Sequence, residues 1–159
     1  MTLAIALQTT LPRFLVGGAV ALDLVLVVVV YVALTSGPVA GIIAGSLAGI
    51  IQDALSSGVI GIGGLAKSVV GFVAGTIGQQ FIMAAALPRL VMFVGATAAH
   101  SAMFMGLYVA LGLRSFPAPW TAILGQAVGN AAVGMMAFTI IESLPGIVER
   151  KRLSKRTRH

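Results

Sequence analysis

The chain has 159 residues, of which 58% are hydrophobic and 9% are charged, and its mean hydropathy is +1.06. This composition excludes a soluble globular domain, because too few polar side chains are available to cover its surface. The formal net charge is +6, and the absence of cysteine excludes disulfides, zinc–thiolate sites and thiol nucleophiles. We therefore expect one integral membrane domain over residues 1–145, followed by a basic tail over residues 146–159.

Prolines, glycine clusters and charged residues interrupt the apolar runs and mark the ends of the predicted helices. The predicted helices cover residues 1–12, 14 or 22 to 35, 38–55, 64–87, 89–113 and 119–143. The first of these is short for a hydrocarbon core of about 30 Å, although its composition suits a membrane. The sequence thus predicts an all-α polytopic membrane protein with about six transmembrane helices.

A series of glycines with four-residue spacing runs from the start of the predicted helix over residues 38–55 into its interior. Asp53 occupies the next position of the same spacing. The glycines of the series are Gly37, Gly41, Gly45 and Gly49. In a soluble helix each interior glycine would cost about 1 kcal/mol relative to alanine, but in lipid small residues four apart let two helix backbones approach closely. The pattern predicts a packing face, and its occupant is either a helix of the same chain or a helix of a partner.

Three charged residues are predicted to lie near the outer membrane face: Asp23, Asp53 and Lys67. An ionised group in a bilayer needs a partner, an interface or a wet cavity. We expect Asp53 and Lys67 to pair across the loop between their helices, with Asp23 able to join them. Three interpretations remain open: a structural ion pair, a polar site that a partner or substrate touches, and a proton or ion relay.

A second polar pair, His100 and Asn130, is predicted near the middle of two successive helices. A hydrogen bond between these side chains would fix the packing of the two helices. A catalytic role for His100 is disfavoured, because Ser46 in "AGSLAG" lacks the sequence context of an intramembrane serine protease. We predict no catalytic residue, no cofactor and no metal site.

The C-terminal tail "RKRLSKRTRH" is strongly basic. Its basic residues are Arg150, Lys151, Arg152, Lys155, Arg156 and Arg158. Because positively charged segments beside a membrane helix stay on the cytoplasmic side, we expect a cytoplasmic C-terminus. Anionic lipid headgroups explain the tail better than nucleic acid does, since the tail contains no aromatic residue.

Three blocks of the sequence carry a resemblance to a known family: "LDLVLVVVVYVAL", "GPVAGIIAGSLAGIIQDALSSG" and "GLAKSVVGFVAG". In this order they resemble the rod shape-determining membrane protein family MreD, over residues 1 to about 145. The family pattern corresponds here to Asp23, Gly41, Gly45, Gly49, Asp53, Gly58, Gly71 and Gly75.

The resemblance implies a multi-pass protein of the bacterial inner membrane that belongs to the cell-elongation machinery. It implies MreC as a direct partner, with MreB, RodA and penicillin-binding protein 2 in the wider complex, and no catalytic activity. The family's helical arrangement is similar to the S-components of energy-coupling-factor vitamin transporters. A substrate-binding S-component is therefore the alternative function, but the few aromatic and polar groups predicted at the outer face favour a scaffold.

Overall fold

A computed structural model describes residues 22–56, 59–80, 85–113 and 119–143 of the chain. These residues form five α-helices, which we number in chain order. They are α1 (Leu24–Ser36), α2 (Pro38–Leu55), α3 (Ile62–Gln80), α4 (Ala86–Ala110) and α5 (Pro119–Ser143). The described part of the chain is thus entirely helical, in agreement with the predicted fold class. The first predicted helix, over residues 1–12, lies outside the described residues.

Backbone geometry explains where the helices end. Gly37 separates α1 from α2 with a φ of 93°, a conformation that L-residues with a side chain rarely adopt. At the end of α4, Gly112 has a φ of 65°, and the amides of Gly112 and Leu113 donate to the carbonyls of Val109 and Tyr108. This is a Schellman motif, and it ends the helix at Ala110, three residues before the predicted end at residue 113.

The boundary between α3 and α4 differs from the prediction. A helix ending at residue 87 and another starting at 89 were expected on either side of Pro88, but α4 already begins at Ala86. Proline is tolerated in the first turn of a helix, where its missing N–H has no intrahelical acceptor in any case. Pro88 therefore lies inside the first turn of α4 instead of separating two helices.

Helix α1 lies at the centre of the bundle and contacts each of the other four helices. Its Leu26, Val27 and Val30 are buried, and together with Phe93 and Phe138 they lie in the main hydrophobic core, while other buried valines of α1 pack against alanines of α2. Helices α2 and α3 pack antiparallel, as do α4 and α5. The helix ends consequently meet at two ends of the bundle. We call them the Asp53 end (Leu55, Ile62, Ala110 and Pro119) and the Glu142 end (Ser36, Gln80, Ala86 and Ser143).

Three of the described helical segments are long and apolar enough to cross a membrane: Pro38–Leu55, Ala86–Ala110 and Ile123–Ser143. Large apolar side chains on their outward faces are exposed, including Ile43, Leu47 and Val128. Helix α1 is apolar but has only 13 residues, which corresponds to a length of about 20 Å. The chain is an all-α membrane protein, and six spans stay a prediction.

Candidate functional site

The glycine face of α2 packs directly against the backbone of α3. A Cβ atom added to Gly41 would overlap the carbonyl of Gly71, and one added to Gly45 would overlap the carbonyl of Lys67. At Gly49 an added Cβ would lie 2.5 Å from Cα of Gly64. Since each of these neighbours is main chain, none can move aside as a flexible side chain would. We call this contact the glycine seam.

The glycine seam shows what occupies the predicted packing face. The face carrying Gly41, Gly45 and Gly49 is filled by α3 of the same chain and is closed to a partner helix. Gly37 has a different role, because its positive φ forms the break between α1 and α2. Within the seam Ser68 donates its hydroxyl to the carbonyl of Gly64, so the hydroxyl of Ser46, 2.7 Å away, donates to Ser68.

Asp53 binds the N-terminus of α3. Its Oδ2 accepts hydrogen bonds from the backbone amides of Gly61, Gly63 and Gly64, at 2.9, 2.9 and 3.2 Å. The first amides of a helix have no intrahelical acceptor, and Gly61 at the cap position has no side chain to supply one. The carboxylate of α2 therefore caps the next helix and lies at the positive end of its dipole. Gly63 leaves the space for it, since an added Cβ would overlap Oδ1 of Asp53.

Lys67 lies between two other helices and forms a buried cluster with Asp23 and His100. Its Nζ is 2.8 Å from Oδ2 of Asp23 and 3.1 Å from Nε2 of His100. The residues are 2%, 4% and 5% exposed, so the cluster lies inside the bundle and is shielded from lipid. Burying two opposite charges is tolerable only when they pair closely and their remaining polar atoms are also satisfied. The cluster joins α1, α3 and α4.

The predicted direct pairing of Asp53 with Lys67 is wrong. Lys67 lies one and a half turns inside α3 and points into the bundle, where Asp23 is its ion-pair partner. Asp53 is held by the helix cap instead, so its charge is balanced by backbone amides rather than by an ammonium group. Two separate polar sites replace the single predicted cluster.

Asp23 also begins α1 in the interior of the bundle. Its Oδ1 accepts from the amide of Leu26 at 2.9 Å, as expected for an N-cap residue, and its own amide donates to Oδ1 of Asn130 at 2.9 Å. His100 lies about 15 Å along α4 from Ala110, by the helical rise, so α1 begins near the middle of the bundle. The buried helix start is satisfied by Asp23 itself and by α5.

The predicted hydrogen bond between His100 and Asn130 is also wrong. Asn130 donates from Nδ2 to Oγ1 of Thr97 at 3.3 Å, while His100 bonds Lys67. One turn closer to the Asp53 end, Ser101 donates to Oε1 of Gln126 at 2.9 Å. Two side-chain hydrogen bonds, one helical turn apart, thus join α4 to α5: Thr97 with Asn130, and Ser101 with Gln126. The matching four-residue spacing in both helices is the sequence signal that could have revealed them.

One polar atom of the buried cluster has no hydrogen-bond partner in the described part of the chain. An ammonium group can only donate, so Nε2 of His100 accepts from Lys67, and a neutral imidazole then carries its proton on Nδ1. Nδ1 is buried and makes no hydrogen bond to any residue that the structure describes. A buried donor without an acceptor costs about 1–3 kcal/mol.

A further ion pair lies at the Glu142 end. Arg89 donates to both carboxylate oxygens of Glu142, at 2.8 and 2.7 Å, and its guanidinium lies 4.6 Å from the ring centroid of Phe138. Phe138 in turn contacts Tyr31, with 4.6 Å between ring centroids. Arg89 and Glu142 are 53 residues apart in the sequence, so no local pattern indicates that they pair. The predicted basic tail, from Arg150 to Arg158, lies outside the described residues.

The comparison with protein families matches residues 1–142 to the family described as rod shape-determining protein MreD. The match covers most of the chain. The chain belongs to the MreD family.

Membership in the MreD family gives the chain a role in rod shape determination. Comparison with curated proteins and with solved structures gave no match. The resemblance of the MreD fold to transporter S-components therefore stays a prediction for this chain. Asp23 and Asp53, two of the residues on which the sequence resemblance rests, are the carboxylates of the two polar sites described above.

Proposed function

We propose that this chain is a non-enzymatic membrane scaffold of the bacterial cell-elongation machinery that binds MreC. Through MreC it would help to couple cytoskeletal MreB to the wall synthases RodA and penicillin-binding protein 2. Membership in the MreD family carries the proposal. The geometry is in keeping with it, because the buried charges of the described residues serve to hold helices together: Lys67 joins three of them, and Asp53 clamps α2 to α3.

The proposed orientation places the protein in the inner membrane with six spans and a cytoplasmic C-terminus. The Glu142 end would then face the cytoplasm and the Asp53 end the periplasm. The support is the basic tail that follows α5, whose Lys and Arg side chains are each worth about 1 kcal/mol near anionic headgroups.

The glycine seam restricts where MreC can bind. Because α3 already fills the glycine face of α2, the contact with MreC must use another surface. The outward faces of α2 and α3 carry large exposed apolar side chains, such as Leu47 and Phe72, and are available to lipid or to a partner helix.

The alternative, a vitamin-binding S-component, requires polar groups that are free to orient a small molecule. The two carboxylates and the ammonium nearest the Asp53 end are engaged within the chain, because Asp53 accepts three backbone amides and Lys67 pairs with Asp23. These contacts favour the scaffold.

The proposal is tested by purifying the tagged full chain from native membranes in mild detergent and identifying the proteins that accompany it. We expect MreC to co-purify, and we expect the chain to restore rod shape to cells of its own bacterium that lack the gene. Co-purification of a transporter ATPase module without MreC would overturn the proposal and support the S-component alternative.

A further inference from the structure

One face of α4 changes from buried to partly exposed at the level of the buried cluster. Towards the Glu142 end, Phe93, Thr97 and Ser101 on this face are fully buried. Phe104 and Tyr108 continue the same face, since they follow at helical spacing, yet both are only half-buried. A face that points into a bundle should stay buried along its length unless the neighbouring helices diverge.

Helix α5, which lies opposite, shows a similar change along one side of its inward face. Asn130, Ala131 and Ala127 are buried, whereas Gln126 and Ile123, one and two turns from Asn130 towards the Asp53 end, are half-buried. The hydrogen bond between Ser101 and Gln126 lies at the transition. Partial exposure on both helices is what two helices that diverge towards the Asp53 end would show.

The floor of such a space would be His100, which carries a buried nitrogen without a hydrogen-bond partner among the described residues. His100 precedes Ser101 and stacks on Phe104, with 5.9 Å between ring centroids, and its Nδ1 is the buried donor without an acceptor. Buried polar atoms without a protein partner are commonly satisfied by water. A partly exposed opening, with the hydrogen-bonded pair Ser101 and Gln126 next to such a donor, is the arrangement expected of a hydrated site.

We propose that α4 and α5 enclose a water-accessible cleft that opens at the Asp53 end and reaches His100, where it admits water as the missing acceptor for Nδ1. The lining residues are Ser101, Phe104, Ile123 and Gln126; the hydroxyl of Tyr108, one turn beyond Phe104, accepts from the amide of Val59 in the connection between α2 and α3. Water in this cleft also lowers the cost of burying the neighbouring charges of Lys67 and Asp23. The inference does not depend on the proposed partner or on the proposed orientation.

The absence of cysteine makes the chain suitable for accessibility measurements, because each introduced thiol is the only one present. Phe104→Cys and Ile123→Cys report on the cleft, and Ser101→Cys reports on its floor. Ala102→Cys is the control at the same depth on an exposed outward face, and Ala96→Cys is a buried control deeper in α4. Leu113→Cys, which is exposed beyond the end of α4, identifies the side from which the Asp53 end is reached.

The full chain is labelled in membrane vesicles of both orientations with a charged, membrane-impermeant methanethiosulfonate. From the side on which Leu113→Cys reacts, we expect the two cleft thiols to react at least about tenfold faster than both controls, because the reactive thiolate is disfavoured in apolar surroundings. Ser101→Cys should react at an intermediate rate.

Labelling of Phe104→Cys and Ile123→Cys no faster than that of Ala102→Cys would overturn the cleft. If both of these thiols react rapidly but Ser101→Cys does not react, the proposal that the cleft extends as far as His100 would be contradicted. Each variant is first checked for a monodisperse elution profile in detergent, and the two independent cleft positions guard against the loss of one variant through misfolding.

Discussion

Nζ of Lys67 lies 2.8 Å from Oδ2 of Asp23, and both side chains are almost completely buried. The pair joins α3 to the first turn of α1, while Asp23 also caps that helix. A charge at this depth in a membrane protein is tolerated only with a partner, so each of the two residues depends on the other.

Removing one member of this pair should be more harmful than removing both charges. Lys67→Met leaves the Asp23 carboxylate buried without a cation and should lower the free energy of unfolding by about 3–5 kcal/mol. The double change Lys67→Met with Asp23→Asn should recover most of this loss, because asparagine keeps the oxygen that caps Leu26. Thermal unfolding in detergent, followed by size-exclusion chromatography, measures the difference. A double variant no more stable than Lys67→Met would contradict the coupling.

The glycine seam predicts opposite outcomes for two helical glycines. In Gly45→Ala the new methyl group meets the backbone of Lys67 and Ser68, so α2 and α3 must move apart, and we expect a loss of about 1–3 kcal/mol or more. Gly95→Ala is the matched control on α4, where an added Cβ meets nothing within 4 Å and should cause no loss. Melting temperatures of the two variants test this. Equal destabilisation would show that the seam is not close-packed.

The cap formed by Asp53 should depend on its oxygen atoms. Asp53→Ala leaves the amides of Gly61, Gly63 and Gly64 without their acceptor, and we expect a loss of about 1–3 kcal/mol. Asp53→Asn keeps one acceptor oxygen and should lose less. Ser56→Ala, which removes an exposed hydroxyl three residues away, is the control and should change stability by about 0.5 kcal/mol or less. Backbone hydrogen exchange at residues 61–64 provides the local measurement, and unchanged protection in Asp53→Ala would refute the cap.

The ion pair between Arg89 and Glu142 should contribute less to the free energy of unfolding than the buried pair of Lys67 and Asp23. The side chain of Glu142 is 47% exposed, so solvent screens its attraction to Arg89 despite the two-pronged geometry. Glu142→Gln should cost about 1 kcal/mol or less, with a smaller effect at high salt. Arg89→Lys should cost more than Glu142→Gln, because lysine cannot reproduce the fork and stacks less well on Phe138. A loss in Glu142→Gln as large as that in Lys67→Met would contradict this order.

Local sequence determined the helical segments well. α2 occupies the range 38–55 and α5 the range 119–143, since both start at a proline and both are bounded by residues that interrupt apolar runs. The glycine spacing identified a face built for close packing, because only small side chains permit two backbones to approach in lipid. What fills that face depends on the rest of the bundle, and the occupant is α3.

The sequence alone also established that Asp23, Asp53 and Lys67 each need compensation within the membrane, because an unpaired charge there is costly. Only the tertiary structure decided which group compensates which. Lys67 and Asp53 are near each other along the chain, but the rotation of α3 turns Lys67 into the bundle, where α1 begins at Asp23. Asp53 lies level with the first turn of the same helix and binds its amides. Sequence spacing specifies which residues share a helix face, whereas the depth and rotation of each helix, set by packing, specify which faces meet.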